Sequence, residues 1–218
     1  MPTATPKTVQ RPTKSERTRE AILRTAVAMA SVRGLEGLSI GDLADELEMS
    51  KSGLFAHFGS KEELQMATIE TARQIFIEEV AAPALKAAKG LPRLWGLYDG
   101  WLSYAERKVF PGGCFFTGVA FEFDGRTGPI RDRIAALMQE WLDALTRAVQ
   151  ESQKAGHLQP SLDAKQLGFE IHSLAMGAIW ASQLLDDKKA FTKVRAILAE
   201  RLQHVQTKNA PRLCDKQR

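Results

Sequence analysis

Cysteine is scarce in this chain. Its 218 residues hold two, Cys114 and Cys214, far apart in sequence. That excludes a disulfide-stapled scaffold and any cysteine-built metal module. Histidine is scarce too. His57, His157, His172 and His204 are scattered, with no H-x-x-x-H or C-x-x-C pair, so no metal site is expected. No apolar run approaches the roughly 18 residues that mark a membrane-spanning helix. The N-terminus carries no apolar signal-peptide core. The expectation is a cytoplasmic protein with no membrane contact. Phosphate-binding loops and paired carboxylates beside an evident pocket are also missing, which speaks against an enzyme; no cofactor is expected. Alternating β-branched runs bounded by turns are absent, as are internal repeats.

What is present is helical periodicity in an ordinary globular composition, 44% hydrophobic and 26% charged. The length allows one or two small domains. The formal net charge is +4, and its placement matters more than its size. Residues 1–20 carry five basic against two acidic side chains, and residues 206–218 four against one, which leaves the rest net negative. Residues 1–14, with three prolines, read as a disordered basic arm, and residues 206–218 as a disordered basic tail. The arm either lies along DNA phosphates or is merely solvated.

The densest signal runs through residues 37–64, GLSIGDLADELEMSKSGLFAHFGSKEEL. Ser39 can cap a helix in which Ile40, Leu43, Ala44 and Leu47 recur at helical spacing. Glu48-Met49 is short enough for a helix–helix corner. Ser50 caps a second helix, expected to run to Phe58, with Leu54 and Phe58 on its inner face and Gly59 as its stop. Ser60-Lys61-Glu62-Glu63 is a capping box opening a further helix. Two short helices across a tight corner make a helix-turn-helix, whose second helix enters the DNA major groove. A preceding helix spans residues 15–33, with Ala21, Ile22, Ala26, Met29 and Ala30 inward.

These residues resemble the DNA-binding domain of the tetracycline-repressor (TetR) family of transcriptional regulators. The likeness rests on Ile22-Leu23, Ala26, Gly34, Gly37-Leu38-Ser39, Leu43-Ala44, Ser50-Lys51, Leu54-Phe55, His57-Phe58 and Ser60-Lys61-Glu62-Glu63-Leu64, and covers residues 15–65. It implies that Lys51, Ser52, Gly53, Phe55 and Ala56 form the face read against DNA bases, at the N-terminus of a DNA-binding helix that Ser50 caps. Ser39, His57 and Lys61 are implied as phosphate contacts. Two departures stand out. Phe55 occupies a position where the family commonly has Tyr, and Ala56 one where many members are bulkier. Lys51 is then the best-placed side chain for a guanine edge, with a phosphate as the alternative. His57 either contacts phosphate or packs at the helix end, and Lys61 either contacts phosphate or is solvated.

The periodicity then predicts helices over 61–82, ended or kinked at Pro83, and over 91–109, 115–123, 129–155, 163–185 and 189–205. The helix over 61–82 would turn Ala67, Thr71, Ile75 and Val80 inward, and that over 129–155 Ile134, Leu137, Met138, Trp141, Leu145 and Val149. The expected fold is all-α: a three-helix DNA-binding head over 15–65 and a helical bundle over 66–205. The resemblance implies a homodimer on a palindromic operator, built by the last two helices. Ile171, Leu174, Ala175, Ala178, Ala181, Phe191, Val194 and Leu198 are candidates for that interface, or else for the subunit core. It also implies a small-molecule ligand within the bundle that releases double-stranded DNA, although activation uses the same parts. Aromatic side chains concentrate between residues 95 and 141. Tyr98, Trp101, Phe116, Phe121, Met138, Trp141, His172 and Met176 are the candidate lining, against the alternative of ordinary core. Cys114 reads as either a packed thiol or a redox-sensitive one.

Overall fold

The structure is a computed structural model that describes residues 13–212. The arm expected over residues 1–14 lies outside these, except for its last two positions. Thr13 opens the first helix, α1 (Lys14–Arg33), with a full capping box: its hydroxyl accepts from the Glu16 N–H, and the Glu16 carboxylate accepts from the Thr13 N–H. Ile22, Leu23, Ala26, Val27 and Ala30 are buried, while Ala21 is exposed and Met29 half-buried, so the inner stripe sits slightly round from the expected one.

Helices α2 (Ile40–Glu46) and α3 (Lys51–Phe55) follow, joined by a corner at which Glu48 takes a left-handed φ of 52°. The second of these is shorter than expected. His57 and Phe58 leave the helix in a tight turn, donating their N–H groups to Leu54 and Phe55 carbonyls. The turn buries the Phe58 ring, over which the Arg19 guanidinium lies 5.1 Å from the centroid.

Helix α4 (Lys61–Phe76) buries Leu64, Gln65, Thr68, Ile69, Ala72 and Ile75, whereas Ala67 and Thr71, expected inside, are half-buried. The helix does not end at Pro83. It widens into a π turn (Ile77–Ala81) and continues as α5 (Ala82–Leu85). Proline cannot donate the α-helical N–H, and the shift in register puts it in the first turn of α5, where that N–H is not needed. The chain then forms α6 (Leu91–Glu106), α7 (Phe115–Phe123), α8 (Pro129–Lys154), α9 (Ala164–Leu184) and α10 (Ala190–Val205).

The body is layered. Helix α8 packs on α9 and α6, α9 on α10, and α6 on the π turn and α5. A Cβ on Gly168 would lie 2.9 Å from the Thr146 hydroxyl, so a side chain there would hold α9 away from α8. The head joins the body through α1 against α4 and α7. Of the tail expected over residues 206–218, residues 213–218 lie outside those described, while Thr207 donates its N–H to the His157 carbonyl and Ala210 packs on the core. Among the described residues no helix is long and apolar enough to cross a membrane.

Candidate functional site

Three serine caps set the geometry of the head. Ser39 accepts from the Asp42 N–H at 3.0 Å, Ser50 from the Gly53 N–H at 3.1 Å and Ser60 from the Glu63 N–H at 3.1 Å. Each satisfies a donor that the first helical turn leaves without a partner. Leu43, Ala44, Leu54 and Phe58 fill the space behind α2 and α3. The outward face of α3 presents Lys51, Ser52, Phe55 and Ala56, and with Ile40 these four line one shallow depression. Phe55 is 52% exposed, a large ring held in water. A Cβ on Gly53 would sit 2.9 Å from the Ser50 hydroxyl, so this glycine serves the cap of its own helix.

The ammonium of Lys51 lies over the first turn of α2. A Cβ on Gly41 would be 3.5 Å from it and 3.7 Å from the Ser39 hydroxyl. Ser39 and Lys51 thus flank one point. His57 is half-buried with its ring tilted beside Phe58. Lys61 is engaged inside the chain: its ammonium donates to the Glu36 carbonyl at 2.7 Å and to the Glu36 carboxylate at 2.9 Å. That hydrogen bond is the main reason the Glu36 carboxyl is held below the usual carboxylate range.

Gly37 to Gly41 spells G-L-S-I-G, the pattern of a serine-hydrolase nucleophile elbow. No strand leads into it, and Ser39 is occupied as the α2 cap.

The turn between α1 and α2 is gripped from the body. Glu122, near the end of α7, accepts the Leu35 N–H at 2.8 Å and the Glu36 N–H at 2.7 Å. A Cβ on Gly34 would come within 3.0 Å of that carboxylate. Arg126 pairs with Glu36 at 3.3 Å, and Gln65 donates to the Leu35 carbonyl at 3.0 Å. A second tie runs from α9: Gln183 donates to the Gly112 carbonyl, and the Gly112 N–H donates to the Ser31 hydroxyl at 3.1 Å. Nothing local in the sequence announces these contacts.

A cavity of about 340 Å³ opens between α8 and the run from α4 to α6. Phe76 is its aromatic hub, meeting Trp141, Tyr104, Phe116 and Trp101 edge to face at centroid distances of 5.0, 5.5, 6.1 and 6.5 Å. Of the expected lining, Trp101, Phe116, Met138 and Trp141 are there. The other four are not. Tyr98 is fully buried, donates to the Val194 carbonyl at 3.1 Å towards α10, and has its phenol pushed up by burial. Phe121 is 60% exposed, because it lies five residues after Phe116, roughly 140° round the helix. His172 lies beside the Trp101 ring at 5.3 Å but outside the lining, and burial holds it below its ordinary value. The Met176 sulfur accepts from the Thr117 hydroxyl. The hub Phe76 and the charged rim (Arg73, Arg93, Glu140, Arg147, Glu151) were missed. Aromatic density alone did not point to them.

The expected dimer residues mostly face inwards. Ile171, Ala175, Ala178 and Leu198 are at most 2% exposed, Phe191 and Val194 are buried, and Leu174 and Ala181 are half-buried. The outer face instead carries Phe169, Trp180 and Leu184 on α9 and Ile197 on α10, each exposed. Helix α9 has apolar residues on both sides, so periodicity could not tell its core face from its outer one. The two helices are also joined by Arg201, which donates to Glu170 at 2.8 Å and holds that carboxyl low. Cys114 is buried and accepts from the Trp101 indole N–H at 3.5 Å, the environment of a packed thiol. Among the described residues no group of His, Cys, Asp and Glu is placed to hold a metal ion.

Two family models match this sequence. One, described as bacterial regulatory proteins of the tetR family, matches residues 22–67; the other, a tetracyclin repressor-like C-terminal domain, matches residues 90–198. No curated protein matches the chain. Similar solved structures include a TetR transcriptional regulator from Chloroflexus aurantiacus, 27% identical with a TM-score of 0.82, covering 88% of this chain and 98% of that one. A TetR-family regulator from Cytophaga hutchinsonii is 22% identical with a TM-score of 0.80, covering 91% and 100%. AibR, solved with isovaleryl coenzyme A and operator DNA, is 24% identical with a TM-score of 0.65, covering 83% and 95%.

Proposed function

Because the chain belongs to the tetracycline-repressor (TetR) family, whose members are DNA-binding transcription factors and not enzymes, we propose that it is a homodimeric repressor released from a palindromic operator by a small molecule. The observation that carries this reading is the exposed face of α3, capped by Ser50 and backed by Leu54 and Phe58. Lys51, Ser52, Gly53, Phe55 and Ala56 meet base edges, with Phe55 suited to a thymine methyl group. Ser39, His57 and Lys61 meet phosphates, and the position of the Lys51 ammonium beside Ser39 suits a shared phosphate. Lys61 must share its charge with Glu36 in doing so.

One head reads few base pairs, so a second is needed. The outer face of Phe169, Trp180, Leu184 and Ile197 supplies the dimer contact. The ligand occupies the cavity around Phe76, and its effect travels along α7. That helix carries Phe116 in the cavity wall and Glu122 on the α1–α2 turn. A ligand that favours a conformer with the heads out of register lowers DNA affinity by its coupling energy, typically about 1–3 kcal/mol. AibR, of the same fold, is bound to both an acyl coenzyme A and operator DNA, which supports pairing the two sites here.

The test is selection of binding sites from a random duplex pool at low and moderate salt, with wild type and a Lys51→Ala, Phe55→Ala variant in parallel. A near-palindrome enriched by wild type and lost in the variant supports the proposal. Salt-sensitive binding without enrichment, equal in both proteins, would sink it.

A further inference from the structure

We propose that the cavity between α8 and α4–α6 takes an amphipathic organic acid: an aromatic or branched hydrocarbon body with a carboxylate at one end. This rests on the ligand-responsive reading above and names the ligand's class.

The two ends of the cavity differ. Around Met138 and Trp141 the wall is aromatic, with Phe76, Trp101 and Phe116. The charges beside it are matched, since Glu140 sits between Arg73 at 3.5 Å and Arg133 at 3.7 Å, and Arg133 also holds Glu70. Further along α8 the rim is formed by Arg93, Arg147 and Glu151, where Arg93 pairs with Glu151 at 3.4 Å. Arg147 has no carboxylate partner among the described residues. This end therefore holds one unmatched positive charge.

Two lining residues carry a further demand. The Trp141 indole nitrogen and the Arg93 Nε are buried, and neither has a hydrogen-bond partner among the described residues. Both are donors only. A buried donor without an acceptor is unfavourable; a carboxylate at the Arg147 end answers the Arg93 Nε, whereas the Trp141 donor lies at the hydrocarbon end and gains no partner from it. Trp141 and Arg147 are six residues apart on α8, or about 9 Å along its axis. That is the span between a ring or branched chain at one end and a carboxylate at the other.

A quaternary ammonium ligand fits less well. The rings meet one another edge to face, with interplanar angles of 85° for Phe76–Phe116 and 90° for Phe76–Trp141, so they do not form a cage of parallel faces around one point. Glu140 and Glu151 are both committed to arginines.

The experiment is calorimetric titration of the full-length protein, without DNA, with 7-methyloctanoate and 4-phenylbutanoate. Their primary amides serve as isosteric neutral controls, and octyltrimethylammonium as a cationic one. The carboxylates should bind at least about tenfold more tightly than their amides, the scale of one charge-assisted hydrogen bond. Arg147→Gln should abolish that preference while leaving amide binding unchanged, and Arg147→Lys should restore part of it. Arg147 is exposed, so these variants keep the fold. Equal binding of acid and amide, preference for the ammonium, no carboxylate binding, or no effect of Arg147→Gln would each overturn the proposal. Tight carboxylate binding that leaves a selected operator occupied would sink the release mechanism alone. Failure of every carboxylate beside intact operator binding would sink the ligand class alone.

Discussion

Glu122 couples distant parts of the chain through one carboxylate. It accepts two backbone N–H groups from a turn 86 and 87 positions away. Replacing it by Ala leaves those donors to water and loosens the entry to α2. We expect a loss of about 1–3 kcal/mol in urea unfolding, with DNA affinity reduced although no DNA-facing residue has changed. An unchanged affinity would remove Glu122 from the coupling route. His172 gives a second prediction at this scale. Burial depresses its pKa, so the unfolded chain takes up the proton first. Stability from this group is intact above its ordinary value of about 6.5 and falls as pH drops through that value towards the folded one. His172→Gln should flatten the wild-type decline in stability between about pH 7 and pH 5.5. Parallel curves would mean the imidazole stays wet in solution.

At the scale of elements, α3 spans only Lys51–Phe55, too short to hold itself together by its own hydrogen bonds. It depends on the Ser50 cap and on Leu54 behind it. Ser50→Ala should cost about 1 kcal/mol locally, seen as faster amide exchange at Gly53 and Leu54, with a smaller change in global unfolding. Equal losses in both would place the head and body in one cooperative unit. The loop before α7 is held differently. A Cβ on Gly112 would fall 1.7 Å from the Ser31 carbonyl oxygen, which is backbone and has little room to yield. Gly112→Ala should therefore separate α1 from this loop at a cost of about 1–3 kcal/mol, measurable as a lower urea midpoint.

For the whole molecule, the outer face of α9 and α10 decides assembly. Trp180→Glu together with Leu184→Glu should yield folded monomers in analytical ultracentrifugation and weaken operator binding, since two heads would no longer act together. Ala175→Glu, on the opposite side of α9, should unfold the subunit by burying a charge. The reverse pattern would restore the interface residues first expected on the family resemblance. The described head, residues 13–65, has seven basic side chains against nine acidic ones, so general attraction to DNA is weak there. Affinity then leans on specific contacts and on the pairing of two heads.

The features legible from the sequence are those whose partners lie within a turn or two. Ser39, Ser50 and Ser60 each cap a helix by reaching three residues forward, so spacing sufficed to place the starts of α2, α3 and α4, though not the end of α3, and to turn Lys51, Ser52, Phe55 and Ala56 outward. The bounds of α7 followed from a glycine-rich break before it and a polar loop after it. The rest needed packing. Whether Ile171 or Trp180 faces the core depends on what α8 and α10 offer, because α9 is apolar on both sides. Phe76 became the cavity's hub only when α4, α6, α7 and α8 converged on it, and Phe121 was turned out by the same rotation that put Phe116 in the wall. Glu122 meets Leu35 and Glu36 only in three dimensions. A local hydrogen bond is written in adjacent residues, whereas a contact across 86 positions exists only once the helices between them have packed.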